Sequence, residues 1–199
     1  MEDGERVLQF WFGQLDKDGL ASSAKSGRWF QKDPDFDREI REEFGALHAL
    51  LLGGERPAWS LSPRGTVASV VVLDQFSRNI FRGTGAMFVA DQRALAFSLE
   101  AIALGLDRSG PAAHRSLLYM PLMHAEDVRM QRRCVELFEA FAVEAEGPAA
   151  AQAERSLKYA VAHREIVERF GRFPHRNELL GRTSTPEEVQ FLAQPGSSF

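Results

Sequence analysis

Cysteine is nearly missing from this chain: Cys134 is the only one in 199 residues. No disulfide can form within the chain, and no multi-cysteine zinc site exists. Long apolar runs are missing too. None approaches the roughly 20 residues that a membrane helix needs, so no membrane span is expected. There is no excess of basic charge. The 24 Lys and Arg face 28 Asp and Glu, a net charge of −4, which argues against a nucleic-acid partner or an anionic membrane surface. The opening MEDGERVLQFWFG is acidic and lacks the basic-then-apolar layout of a signal peptide, so a cytoplasmic location is expected. HExxH, Glu-x-x-His, Walker A and GxSxG motifs are all absent, which removes the enzyme classes that carry them. Strand-like alternation, fixed-period repeats and low-complexity segments are also lacking.

What remains is helical patterning in a chain 44% apolar and 26% charged, enough to bury a core. ERVLQFWFGQL reads as a short opening helix and KDGLASSAKSGRW as a polar loop. In DPDFDREIREEFGALHALLLGG, Asp33 is a natural cap and Pro34 a first helical residue. Phe36, Ile40, Phe44, Leu47 and Leu51 form its stripe, Gly53 and Gly54 its stop, and the DREIREE charges a solvated face. A third helix is expected from Ser62 and Pro63 to about Phe81, and a fourth from about Ala86 to Leu104. A fifth starts at Pro111 and is broken or kinked at Pro121, a sixth follows to about Glu144, and a seventh covers about Ala149 to Phe170 with Gly171 as C-cap. Thr185, Pro186 and Glu188 spell a capping box for a last short helix. Short connections favour antiparallel hairpins. The expectation is one all-α domain over residues 1–199, with helix hairpins stacked.

Polar residues interrupt the apolar stripes. In the third helix Val67 and Val71 run on into Asp74 and Arg78, with Gln75, Asn79 and Arg82 beside them. Asp91 falls on the stripe Phe88, Asp91, Leu95, Leu99. His124 and Gln131 fall on His124, Val128, Gln131, Val135, and His163 on Tyr159, His163, Ile166, Phe170. Buried charges without partners cost several kcal/mol, so these groups should find one another, water or a ligand. Pairing of Asp74 and Asp91 with Arg78 and Arg82 is the natural expectation. The segment GRFPHRN follows the seventh helix directly. Phe173 and Pro174 can anchor it while Arg172, His175, Arg176 and Asn177, with Arg182 beyond, turn back over the patch. Three arginines against Glu178 make this loop locally cationic, suited to a carboxylate or phosphate.

Each of these residues taken alone is more often structural. A lone inward histidine is usually hydrogen-bonded core, an inward Asp–Arg pair often only locks helices, and Gln131 can cap a carbonyl. Phe10, Trp11, Phe12 and Trp29 read as core or lid packing. Four helices and a loop contributing together favour a shared site. His124 with Glu126 or Asp127, joined by His163, could ligate a metal, but the spacing is unspecific and an anion site is preferred, with no metal or cofactor. GTGAMF before the fourth helix could present amides to an anion.

Three stretches, LDQFSRNIFRG, YMPLMHAEDVRMQ and FGRFPHRNELLGRTSTPEE, resemble a bacterial family known as domain of unknown function 924. VLQFWFG, the Trp29–Phe30 pair and FDREI are similar as well, so the resemblance runs along essentially the whole chain. It implies an all-helical fold like tetratricopeptide-repeat superhelices and implies no activity. The family's motif residues match at Asp74, Gln75, Arg78, Asn79, Arg82, Asp91 and His124. They match again at Glu126, Gln131, His163, Arg172, His175, Arg176 and Asn177. Ser77 stands where a proline is common, and Ala125 where a serine usually follows the histidine. The expected function is binding of a small anionic molecule or an acidic peptide end in a concave polar pocket. There Arg78, Arg82, Arg172 and Arg176 hold the anion while Asp74 and Asp91 orient them. The alternatives are a metal-independent hydrolase or lyase using His124 or His163 as general acid/base, and a scaffold whose polar cluster is purely structural.

Overall fold

The structure, a computed structural model, describes residues 2–198 and is all-α, with no strand among them. The helices are α1 (Asp3–Phe12), α2 (Ser23–Ser26), α3 (Pro34–Leu52), α4 (Pro63–Val70), α5 (Ser77–Ile80) and α6 (Asp91–Ala103). They continue with α7 (Ala112–His124), α8 (Val128–Glu144), α9 (Gly147–Phe170) and α10 (Pro186–Leu192). The start signals act as their chemistry requires. Asp33 accepts from the Asp35 and Phe36 amides ahead of Pro34, and Ser62 accepts from the Gly65 amide ahead of Pro63. Thr185 and Glu188 close a reciprocal capping box.

α4 and α5 are joined without a break by a π-helical segment, Val71–Phe76. The wider i→i+5 turn shifts side-chain phase, and π turns in otherwise α-helical segments recur at functional sites. Val67 through Phe76 are all buried, so this segment is the centre of the molecule. α1 packs on α4, α3 on the π segment and α5, and α6 and α7 on α4. The remaining helices follow in sequence, α6 on α7, α7 on α8 and α8 on α9. Phe76 lies among the rings of Phe10, Trp11 and Phe44 at centroid distances of 5.9, 5.6 and 4.9 Å. Trp29 stacks on Trp11 at 5.4 Å and donates its indole N–H to the Trp11 carbonyl. These aromatics are core.

Several expectations are corrected. Pro121 does not break its helix. α7 runs through it and ends three residues later at His124, close enough to the end that little helix follows the missing N–H. His124 therefore ends α7, and Asp127 caps a separate α8. The fourth helix begins at Asp91, preceded by a 3₁₀ turn at Gly85–Phe88. Its buried face is Ala94, Phe97, Ser98 and Ala101, with Leu99 outside, so Asp91 is no interloper on a core stripe. It stands in the first turn, where the helix dipole favours a carboxylate. Tyr159 is exposed, although His163 and Ile166 of the same stripe are buried. The loop after α1 includes the one-turn α2.

Candidate functional site

Asp74, from the π segment, is fully buried. Its Oδ1 lies 2.8 Å from His124 Nδ1 and 3.2 Å from Arg78 Nη1, and its Oδ2 accepts from the Gln75 amide. Arg78 Nη1 also donates to the Asp74 carbonyl at 2.6 Å and sits 3.1 Å from Asp91 Oδ1. The other oxygen of Asp91 accepts from Arg176 Nη1 at 3.2 Å. One chain of charges, His124–Asp74–Arg78–Asp91–Arg176, thus joins the end of α7, the π segment, α5, the start of α6 and the loop after α9.

The loop reaches this chain because of two local features. Gly171 ends α9 at φ +71°, a left-handed turn that favours glycine, and Phe173 is driven fully inside. Phe173 meets the His163 ring edge-on at 5.5 Å and the His175 ring at 5.5 Å, and His163 lies 6.3 Å from His124. The Arg176 guanidinium packs over the Phe88 and Phe173 rings at 4.5 and 4.6 Å. Glu126 clamps the loop from below. It accepts from the Phe173 amide at 2.8 Å and from both Nη atoms of Arg182 at 2.7 and 2.9 Å. Gln131 does not enter the cluster. Its amide donates to the Met123 and Ala125 carbonyls at 2.6 and 2.7 Å, which fixes the backbone on either side of His124.

Other expected members lie apart. Arg82 pairs with Asp37 of α3, through Nε at 2.6 Å and Nη2 at 2.9 Å, and Asn79 donates to the same carboxylate at 2.8 Å. Arg82 is therefore not a partner of Asp74 or Asp91, and Asp37 is buried rather than on a solvated face. A spacing was there to find it: Asp37, Ile40, Phe44 and His48 share one α3 face, and His48 bonds Ser77 Oγ at 2.6 Å. Arg172 and Asn177 turn to Glu188, which takes both Nε and Nη2 of Arg172 at 2.7 and 2.8 Å. Two clefts, of about 290 and 210 Å³, lie away from the charge chain. Among the described residues no group of three or more His, Cys, Asp or Glu is placed to hold a metal ion, and no helix is long and apolar enough to cross a membrane.

The electrostatics follow from burial. Burial opposes ionisation of Asp74, but Arg78 and the His124 N–H overcome it and hold the carboxyl well below the usual range. Burial, with Arg78 nearby, pushes His124 down despite Asp74. A neutral His124 donates from Nδ1 to Asp74 and keeps its Nε2 lone pair, as a general base or an acceptor would. Burial drives Arg176 down to about 10, against the pull of Asp91 and with Arg78 repelling it. Arg78 Nη2 and Arg176 Nε are buried with no hydrogen-bond acceptor among the described residues.

Residues 7–196 match the family described as bacterial protein of unknown function (DUF924). The chain belongs to the DUF924 family. A solved structure, that of a protein of unknown function from Agrobacterium tumefaciens, is similar to it at 36% identity and a TM-score of 0.76, covering 95% of this chain and 96% of that one. No curated protein matches the chain. For this member of DUF924, four of the five links of the charge chain come from the stretches that carried the resemblance: LDQFSRN supplies Asp74 and Arg78, YMPLMHAED supplies His124 and GRFPHRN supplies Arg176, while Asp91 lies outside them.

Proposed function

We propose that the protein binds a small molecule through a carboxylate or phosphate group at Arg78 and Arg176, beneath the 171–182 loop. The observation that carries this reading is a pair of guanidiniums, Arg176 buried and Arg78 largely so, that share the Asp91 carboxylate and each keep one buried nitrogen without an acceptor. A buried unsatisfied donor costs about 1–3 kcal/mol, which an anionic acceptor recovers. The lowered pKa of Arg176 points the same way, because its cation is under-compensated where it stands. Arg82 and Arg172 take no part in this reading, since Asp37 and Glu188 already engage their forks.

The test is a thermal-shift series with phosphate and small mono- and dicarboxylates at constant ionic strength. A ligand at a hundredfold excess over its Kd is expected to stabilise the fold by about 2.7 kcal/mol. In Arg176→Met the shift should vanish. A shift that survives this substitution would refer to general salt effects and end the proposal, as would none with any anion.

The Asp74–His124 contact at 2.8 Å favours a second reading, metal-independent hydrolysis or elimination with His124 Nε2 as general base. If it holds, His124→Gln keeps anion binding within about threefold while turnover falls by about 10²–10⁴. Turnover unchanged by His124→Gln would remove this reading alone.

A further inference from the structure

A second, separate feature has the chemistry of a ligand site. The cleft of about 290 Å³ lies between α1, the first turn of α4 and the first turn of α7. Its apolar side is Leu8, Phe12 and Leu15, and its polar side is Glu5, Arg64 and His114. The volume suits a small ligand, at the low end of the range for binding pockets. One wall is fixed in advance: Gly19 stands at φ +72° against Ala112 and Pro111, and its carbonyl accepts from the Ala113 amide at 3.0 Å. The His114 ring rests on Phe12 at 4.8 Å. Burial, with Arg64 nearby, pushes His114 down to about 4, so it faces the cleft as a neutral donor or acceptor.

Charge decides what fits. Glu5 and Arg64 meet side by side, with Oε1 and Oε2 accepting from Nε and Nη2 at 2.7 and 2.8 Å. A lone anion would be repelled by Glu5 and a lone cation by Arg64. A wholly apolar guest would cover both charges and give nothing in return. A zwitterion matches both. The Glu5–Arg64 pair is about half exposed, and such surface pairs contribute little net stability, so exchanging partners with a guest's own two charges is nearly neutral. The guest's apolar part is then the net gain, since it leaves water against half-buried Leu15 and the outer edges of the buried Leu8 and Phe12.

We propose that this cleft binds a free amino acid with an apolar side chain, its carboxylate on Arg64, its ammonium on Glu5 and its side chain against Leu8, Phe12 and Leu15. The site is independent of the Arg78–Arg176 chain.

Isothermal titration of the full chain tests it with three probes: L-leucine, 4-methylvalerate, which lacks the ammonium, and 3-methylbutylamine, which lacks the carboxylate. Leucine is expected to bind about threefold more tightly than either analogue, since each analogue leaves one half-exposed charge unmatched and such a contact is worth a few-fold in Kd. Arg64→Met should weaken leucine about threefold through the same lost contact. Gln9→Trp, at an exposed position lining the cleft, should fill it and abolish binding. Arg176→Met should leave leucine binding intact, which separates this site from the anion reading. No saturable heat with leucine, equal affinity for the one-charge analogues, or unimpaired binding by Gln9→Trp would each overturn the proposal.

Discussion

Between pH 7 and pH 5 the protein is expected to lose about 6 kcal/mol of folding stability, as much as many domains possess in total. The cause is its histidines. Burial is the leading reason that all five stand below their ordinary value of 6.5. His114 and His175 fall to about 4 and His163 to about 3, while His48 and His124 are lowered as well. In this window the unfolded chain takes up protons that the folded chain refuses, so stability falls as pH falls. The loss begins near pH 6.5, the unfolded value, and continues down to the folded values near 4 and 3. At pH 5, each of His114, His163 and His175 accounts for about 2 kcal/mol. Carboxylates held low, such as Glu188 beside Arg172, add their own loss only below about pH 4.5. Urea unfolding at the two pH values measures the difference. A change under about 1 kcal/mol would mean that the rings reach water without global unfolding. His163→Gln should remove about a third of the slope between pH 6 and pH 5, because it deletes one of the three principal titrating groups.

Asp74→Leu is expected to cost about 3–5 kcal/mol, because it leaves Arg78 buried with half its compensation and deprives the His124 N–H of its acceptor. The double variant Asp74→Leu with Arg78→Met should be more stable than the single one. A buried pair replaced by apolar groups of similar size is often close to neutral. Denaturant midpoints for the two singles and the double give the coupling directly, expected at about 1–3 kcal/mol between such neighbours. Additive losses would show that Asp74 and Arg78 do not act as a unit. Should the double variant match the wild type in stability while losing the anion-induced thermal shift, the pair is kept for binding rather than for the fold.

Helix positions were legible where caps and punctuation speak locally. Asp33–Pro34, Ser62–Pro63, Gly171 and the Thr185–Glu188 box all behave as their side-chain chemistry requires. Pro121 misled because a proline forbids one hydrogen bond but does not say how much helix remains beyond it. The π segment left no trace in Val71–Phe76, whose composition suits an α turn equally well. The inward direction of Asp74, Arg78 and His163 was readable from the stripes, since an apolar helix face has a definite bearing, whereas the stripe assigned to His124 joined residues of two separate helices. Which acid meets which base was not. Pairing depends on how separate helices are set against one another, and the pattern of a single helix carries no such information. Arg82 therefore goes to Asp37, and Arg172 to Glu188, although all four share the chemistry of the central chain.

The order of synthesis bears on the loop that covers that chain. Arg176 follows its partner Asp91 by 85 residues, and Arg182 follows Glu126 by 56. At about 5–20 residues per second on the ribosome, Asp91 waits roughly 4–17 s for its second cation. For that interval the rings of Phe10, Trp11, Phe44 and Phe76 can already pack, while the Arg78–Asp91 pair still waits for the segment that will cover it.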